Sequence, residues 1–350
     1  MAYALIEFDG DQKKIASLWE EAMGSHIKQR FDWLYHTPSS TPPVTVLLTD
    51  AESGQIVGCG SILKKKLLLN GKSFTVGVCI DFFVKAKHRT LGPAVMIQRR
   101  ITKLLQTSPI DFLFAFPNQM ALASFLRAGY RKLGTVETYV KLIRMEGKLT
   151  KILKFGILSR IAAFPLDALH RFYDAVRRLS YRNRYAAEIQ QQPDDRFEEL
   201  VHHARRQHPI LFEKNKSAFT WRYTDMPGFD HRIFALTDNH TGELAGCLAF
   251  SIENRVALIK DIILRDTDVH LNPLMLHFFS AIRKGKNVDS IMICYIGDKR
   301  FLKQLEQLLF VRRTTDRHCL IHFHKDISDD VKQTIGSPEN WFLFEGDMDI

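Results

Sequence analysis

The turn KAKHRTLGPA, Lys85 to Ala94, joins an apolar run, VGVCIDFFV from Val76, to a helix-patterned run, AVMIQRRITKLLQ. A basic, glycine-containing turn that feeds a helix start brings together free backbone N–H groups, the positive end of the helix dipole and the Arg89 guanidinium. Such a site holds phosphate or pyrophosphate. Eight residues before Arg89, Asp81 interrupts the apolar run with a carboxylate. Inside an apolar run a carboxylate is poorly hydrated, which raises its proton affinity and suits it to act as a general base. Asp81 is therefore the candidate catalytic residue. The competing reading is that it orients neighbouring backbone, because an aspartate, Asp261, recurs at the matching point later in the chain.

The next strand-like run, IDFLFAF from Ile110, is followed by PNQMALASFLRAGY. Arg89, Gly92 and Ala94 fit the pattern R/Q-x-x-G-x-G/A, and Asn118, Ala121, Gly129 and Tyr130 fit N-x-x-A-x-x-x-Y-x-x-x-G-F. Over Phe74 to Tyr130 the chain thus resembles the GNAT superfamily of acyl-CoA-dependent N-acyltransferases. The resemblance implies direct transfer of an acetyl or longer acyl group from coenzyme A to an amine on a small molecule, with no metal. It implies a pyrophosphate held by Arg89, Thr90, Leu91, Gly92, Pro93 and Ala94, and a cofactor arm near Phe83, Val84, Asn118 and Phe125. Phe125 departs from the family, standing where a tyrosine often protonates the leaving thiolate. Water can do so instead, since a thiol of pKa ~8.5 is a fair leaving group. The same departure motivates a non-enzymatic alternative, a scaffold or sensor that binds acyl-CoA without turnover.

The elements that carry these residues occur twice. FDWLYHTPSSTPPVTVLLTDAESGQIVGCG, from Phe31, aligns without a gap on FTWRYTDMPGFDHRIFALTDNHTGELAGCL, from Phe219, at a constant offset of 188. Both read as strand, turn, strand, with Gly54 and Gly242 in the turns. A longer excursion in the first copy, KKKLLLNGKSF, drops the offset to 180, and Asp81 then meets Asp261, Pro93 meets Pro273 and Asn118 meets Asp298. The second copy has lost the anion loop, with Val269, Asn272 and Leu274 in place of Arg89, Gly92 and Ala94. The expected fold class is α/β with mixed sheets: two tandem GNAT-like domains, an acyl-CoA-binding one at 1–145 and a degenerate one at 185–350. The degenerate copy would complete an acceptor site or an interface, and Trp33, Tyr35, Trp221 and Tyr223 would line that cleft or pack helices onto sheets. A transferase of the Fem type, dependent on aminoacyl-tRNA, also pairs GNAT-like domains. The pyrophosphate loop and the absence of a coiled-coil arm argue against it, so nucleic acid is not an expected partner.

Residues 146–184 read as a basic helical linker, with Leu166, Leu169, Phe172, Tyr173 and Val176 at spacings of three and four, and Arg171, Arg177 and Arg178 on the other side. It suits an interdomain helix or peripheral contact with anionic membrane. At 350 residues the chain exceeds the ~250–300 at which one core stops growing. A net charge of +10 favours anionic partners but does not choose among them. The five cysteines form no C-x-x-C pair and read as reduced core thiols, and MAYALIEFDGDQKK reads as a strand rather than a secretory signal, so a cytoplasmic location is expected. Two histidine groups, His202, His203 and His208, and His318, His322 and His324 beside Cys319, lack metal-ligand spacing. The second group shares one face of a terminal strand expected to be half-exposed.

Overall fold

The computed structural model describes residues 2–23, 27–37, 41–145, 156–285 and 287–348, without the side chains of 23, 27, 156–164 and 166. The first half runs β1 (Tyr3–Glu7), α1 (Gln12–Met23), α2 (Ile27–Tyr35), β2 (Val44–Asp50), β3 (Ile56–Leu69), β4 (Lys72–Val84), α3 (Leu91–Leu105), β5 (Phe112–Ala115), α4 (Gln119–Arg127), β6 (Arg131–Thr135) and β7 (Glu137–Leu142). A long helix, α5 (Gly156–Leu179), follows. The second half runs β8 (Tyr185–Gln190), α6 (Phe197–Ala204), β9 (Ile210–Phe212), α7 (Lys216–Tyr223), β10 (Arg232–Asp238), β11 (Leu244–Glu253), β12 (Val256–Leu264) and α8 (Thr267–Lys284). It ends with β13 (Ser290–Gly297), α9 (Lys299–Gln307), β14 (Val311–Arg313), β15 (His318–Phe323), α10 (Asp329–Gly336) and β16 (Phe342–Phe344).

Local chemistry explains the elements that frame the site. In α3, Ile97, Ile101 and Leu105 recur every four residues and are fully buried, while Arg99 and Lys103 point to solvent. The excursion KKKLLLNGKSF is the far end of a β3–β4 hairpin. Asn70 and Gly71 close it with φ of 48° and 78°, the left-handed pair that a two-residue hairpin turn requires. The two offsets of the repeat are true in register: Gly58 faces Val84 as Gly246 faces Leu264, and Cys59 faces Phe83 as Cys247 faces Ile263. Asn118 and Asp298, matched at 180, both cap a helix with their side chains. All five cysteines are free and buried. Among the described residues no helix is long and apolar enough to cross a membrane.

The strands form two mixed sheets of eight. The first is ordered β1-β2-β3-β4-β5-β15-β6, with β9 added to β3, and the second β14-β7-β13-β12-β11-β10-β8, with β16 added to β13. Each sheet is completed by the other half: β15 lies between β5 and β6, and β7 between β13 and β14. The strand that carries His318 and His322 leaves both half-exposed, and His324 just beyond it is half-exposed too. β15 is an interior strand, and His322 Nδ1 lies 3.0 Å from the carbonyl of Gly129 in the first half.

The halves meet at a shared core of Trp19, Phe31, Phe114, Phe212, Ile296 and Trp341, among others. At its centre Trp33 and Trp221, exact counterparts at offset 188, stack with centroids 4.5 Å apart. Each indole Nε1–H donates to the other residue's backbone carbonyl, at 2.9 and 3.3 Å. The repeat is therefore related by an approximate two-fold axis through this pair. Truncating Trp33 to alanine should lower stability by ~3–5 kcal/mol. Denaturation followed by probes in each half should still give one coincident transition, because neither sheet is complete alone.

Candidate functional site

β4 and β5 are paired in parallel only from Val76–Phe112 to Val78–Phe114, and then diverge. From Cys79 onward the edge of β4 that faces β5 is open. Opposite this edge β4 carries a bulge: Ser61 faces Ile80 and Cys59 faces Phe83, so Asp81 and Phe82 together oppose Gly60. Asp81 takes the left-handed conformation there, φ 52°, which aspartate tolerates better than most side chains. A bulge of this kind re-aims a side chain and ends regular pairing.

The bulge turns the Asp81 carboxylate into the interior, with 3% of the side chain exposed. Oδ1 accepts a hydrogen bond from Arg30 Nη2 at 2.5 Å. Oδ2 is buried and accepts no hydrogen bond among the described residues. Arg30 comes from α2, 51 positions away, and no local pattern in the sequence marks it. Beside the pair, the Tyr35 hydroxyl is hydrogen-bonded to Thr45 Oγ1, which in turn meets Ser61 Oγ. Burial pushes the Tyr35 hydroxyl well above its ordinary range.

After β4 the chain bends through Lys85–Thr90 into α3. Arg89 Nε donates to the Val84 carbonyl at 2.8 Å, and its guanidinium lies 5.1 Å from the centre of the Phe83 ring. Both contacts anchor the arginine at the mouth of the open strand edge. Thr90 is the N-cap of α3, but its side chain makes no capping bond, and no acidic residue occupies the first turn. The N–H groups of Leu91 and Gly92 therefore lack a helical acceptor by position. Pro93 has no N–H, and a Cβ added to Gly92 would meet nothing within 4 Å. The donors, the nearby cation and the open approach fit an anionic group such as a pyrophosphate.

Asn118 Oδ1 accepts from Ala121 N at 3.0 Å, so this side chain starts α4. Phe125 is buried against Phe82 and Tyr130, at centroid distances of 5.3 and 5.1 Å. The hydroxyl of Tyr130, a member of that cluster, is buried and lies 3.2 Å from Cys79 Sγ. Burial pushes this Tyr130 hydroxyl far above its usual range and the Cys79 thiol up to about 12.

The second copy differs at both ends of this arrangement. The N-cap of α8 is Asp266, whose carboxylate accepts from the N–H groups of Asp268 and Val269. Asp268 adds a second negative charge in the first turn, so this helix start repels anions. Asn272 Oδ1 is 3.3 Å from Arg177 of α5, and Leu274 is buried. Asp261, the counterpart of Asp81, has both oxygens engaged: Oδ1 by Lys214 Nζ at 2.5 Å and Ile262 N at 2.9 Å, Oδ2 by the Tyr223 hydroxyl at 3.0 Å. Of the four aromatic residues expected at a cleft, Trp33 and Trp221 pack against each other and Tyr35 is tied to Thr45. Trp221 and Tyr223 also border a cavity beside Asp261.

No family model matches this sequence, and no curated protein matches it. Solved structures do. A probable N-acyltransferase from Enterococcus faecalis V583 superposes with a TM-score of 0.64 at 9% identity, covering 92% of this chain and 73% of that one. A tandem GNAT protein from the clavulanic acid biosynthesis pathway gives 0.56 at 11% identity, over 93% of this chain and 100% of that one. Saccharomyces cerevisiae N-myristoyltransferase with bound myristoyl-CoA gives 0.58 at 13% identity, over 97% and 85%. The chain therefore has the fold of a tandem GNAT protein.

The Arg30–Asp81 pair has a measurable signature. Arg30→Met would strand a buried carboxylate and should destabilise the protein by ~3–5 kcal/mol. Asp81→Asn in the same chain should recover at least half of that loss in chemical denaturation.

Proposed function

We propose that this chain is an acyl-CoA-dependent N-acyltransferase whose first half performs the transfer and whose second half no longer binds the cofactor. The observation that carries this reading is the contrast between two matched helix starts. α3 has an uncapped, glycine-opened N-terminus beside Arg89, whereas α8 is capped by Asp266 and carries Asp268. Leu91 and Gly92 N–H groups, with Arg89, would hold the pyrophosphate. The open edge of β4, around Phe83 and Val84, offers backbone groups to the amides of the cofactor arm. Asn118 and Phe125 border the same side.

Asp81 is the base in this reading. Among the described residues its Oδ2 is an acceptor without a donor, suited to an amine N–H, while Arg30 holds Oδ1 and fixes the carboxylate. Proton loss to Asp81 frees the nitrogen lone pair, which attacks the thioester carbonyl. The tetrahedral intermediate collapses with cleavage of the C–S bond, and the second proton released from the nitrogen passes through water to the departing thiolate, because Phe125 offers none, leaving a neutral amide and a thiol. The acceptor is an amine on a small molecule, the acyl group acetyl or longer, and the location cytoplasmic. By calorimetry, Arg89→Glu should abolish acyl-CoA binding. Asp81→Asn should retain binding and lose ~10²–10⁴-fold in kcat. Binding by the wild type without an acylated product across an amine screen would favour a sensor instead.

A membrane contact through α5 rests on a different observation. The helix docks on the second half with its polar side. Asp174, 3% exposed, joins Lys141 Nζ at 3.1 Å and Arg283 Nη2 at 2.6 Å, and Arg177 donates to the Gln307 carbonyl. Its apolar stripe, Leu169, Phe172, Val176 and Leu179, faces outward, with Phe172 68% exposed. Of the stripe read from the sequence, Tyr173 meets the second half through the Gln307 carbonyl at 3.1 Å, and Leu169, Phe172 and Val176 face outward. Leu166 and residues 146–155 of the linker lie outside the described side chains and residues. Arg171 on the helix and Arg182 just beyond its end are exposed, and exposed cations suit an anionic lipid surface at ~1 kcal/mol each. The protein should float with phosphatidylserine vesicles at low salt, and Phe172→Glu should cut the bound fraction at least tenfold.

A further inference from the structure

A cavity of about 270 Å³ lies between the halves, away from the open edge of β4. The first half contributes Leu63 to Lys66 of β3, and the second Phe212 to Lys214, the inner side of α7 and Gly346–Asp347. At one wall Lys214 Nζ bridges Asp261 Oδ1 and Asp347 Oδ2, at 2.5 and 3.0 Å. Burial works against this ammonium, but the two carboxylates outweigh it and hold Lys214 charged. Lys65 is different. Its ammonium donates to the Asp347 backbone carbonyl at 3.2 Å and lies 5.4 Å from the centre of the Phe212 ring, and among the described residues it forms no ion pair.

An ammonium has three N–H donors, and one of Lys65's is accounted for by protein. Lys64 and Lys66 alternate to the face of β3 opposite Lys65, where Lys66 Nζ donates to Thr75 Oγ1 at 2.8 Å, so the charges on the cavity side are Lys65, Lys214 and Arg222 against Asp261 and Asp347, a surplus of one positive charge. Glu213 is committed to Arg205, at 3.1 Å. Leu63, Phe219 and Trp221 supply apolar wall. The volume is near the lower end, roughly 300 Å³, of small-molecule sites.

We propose that this cavity binds a small organic anion, a carboxylate or phosphate monoester on an apolar body, with Lys65 as its counter-charge. The site is separate from the transfer site. Lys65 pairs with Val76, four residues along β4 from Ile80, which is roughly 13 Å at ~3.3 Å per residue. Buried Leu63 lies on β3 between Ser61 and Lys65. Asp261 marks what has become of the base position in the second copy: it anchors Lys214 and forms one wall of a binding site.

Burial, reinforced by Arg222 and Lys214 and opposed by Asp347 and Asp261, pushes Lys65 down to about 8. The ammonium is therefore charged below that pH and lost above it, and anion affinity should fall as pH rises through 8. Benzoate and phenyl phosphate are the probes for calorimetry on the full chain, with benzyl alcohol as the neutral control. Expected are 1:1 binding of at least one anion, none of the alcohol, and at least tenfold weaker binding, about 1.4 kcal/mol, in Lys65→Met. Which of the two anions binds distinguishes carboxylate from phosphate. Lys65→Met should keep the wild-type melting temperature and acyl-CoA affinity, which separates this site from the first. Failure of both anions at millimolar concentration, unchanged affinity in Lys65→Met, or equal binding of the alcohol would overturn the proposal.

Discussion

Val136 is the only residue between β6 and β7, and one residue cannot reverse a strand into a hairpin. The chain must run on, so β7 leaves the first sheet and pairs with β13 and β14, while β15 returns to fill the gap between β5 and β6. The two crossing segments touch, with Val136 N donating to the Arg317 carbonyl at 2.9 Å. Much else follows from this crossing. It presses the α2 and α7 faces together, which brings Trp33 onto Trp221. It also places Lys141, carried on β7, inside the second half beneath α5. Burial pushes Lys141 down to about 8, against the pull of Asp174.

Within that frame the two copies have drifted apart by electrostatics rather than by shape. Both keep a bulge where the fourth strand passes its neighbour, at Asp81–Phe82 in one and at Lys260 in the other. Both keep an aspartate beside it. Among the described residues Asp81 has one oxygen paired with Arg30 and one without a hydrogen-bond donor, whereas Asp261 is saturated by Lys214, Tyr223 and its neighbouring backbone N–H. Burial still raises Asp261 above the usual carboxylate range. A saturated carboxylate is a structural part, and an unsaturated one is available for chemistry.

The features legible in the sequence were those fixed by local chemistry. Gly54 and Gly242 announce hairpin turns, and the two offsets place matched residues in matched register. Arg89, Gly92 and Asp81 could be singled out as candidates because a strand, a basic turn and a helix are contiguous. What the sequence concealed is non-local. Arg30 reaches Asp81 across 51 positions, and an arginine on a surface-patterned helix carries no mark of its partner. The exchange of β7 and β15 was hidden for a related reason: an alternating apolar strand fits either of two equivalent gaps. The apolar stripe of α5 left a packing face and a membrane-facing surface both open, because apolar periodicity reports that a helix has sides, not which side meets protein.

The strand exchange also sets a schedule for synthesis. β6 ends at Thr135, but the strand that must lie beside it ends at Phe323, 188 residues later. At ~5–20 residues per second a ribosome needs roughly 10–40 s to deliver it. During that interval β5 and β6 have an unfilled slot with exposed ladder groups on both sides, a template for any passing strand. The nascent first half is thus a client for chaperones until the final strands emerge, and polysomes translating this chain place many such slots close together.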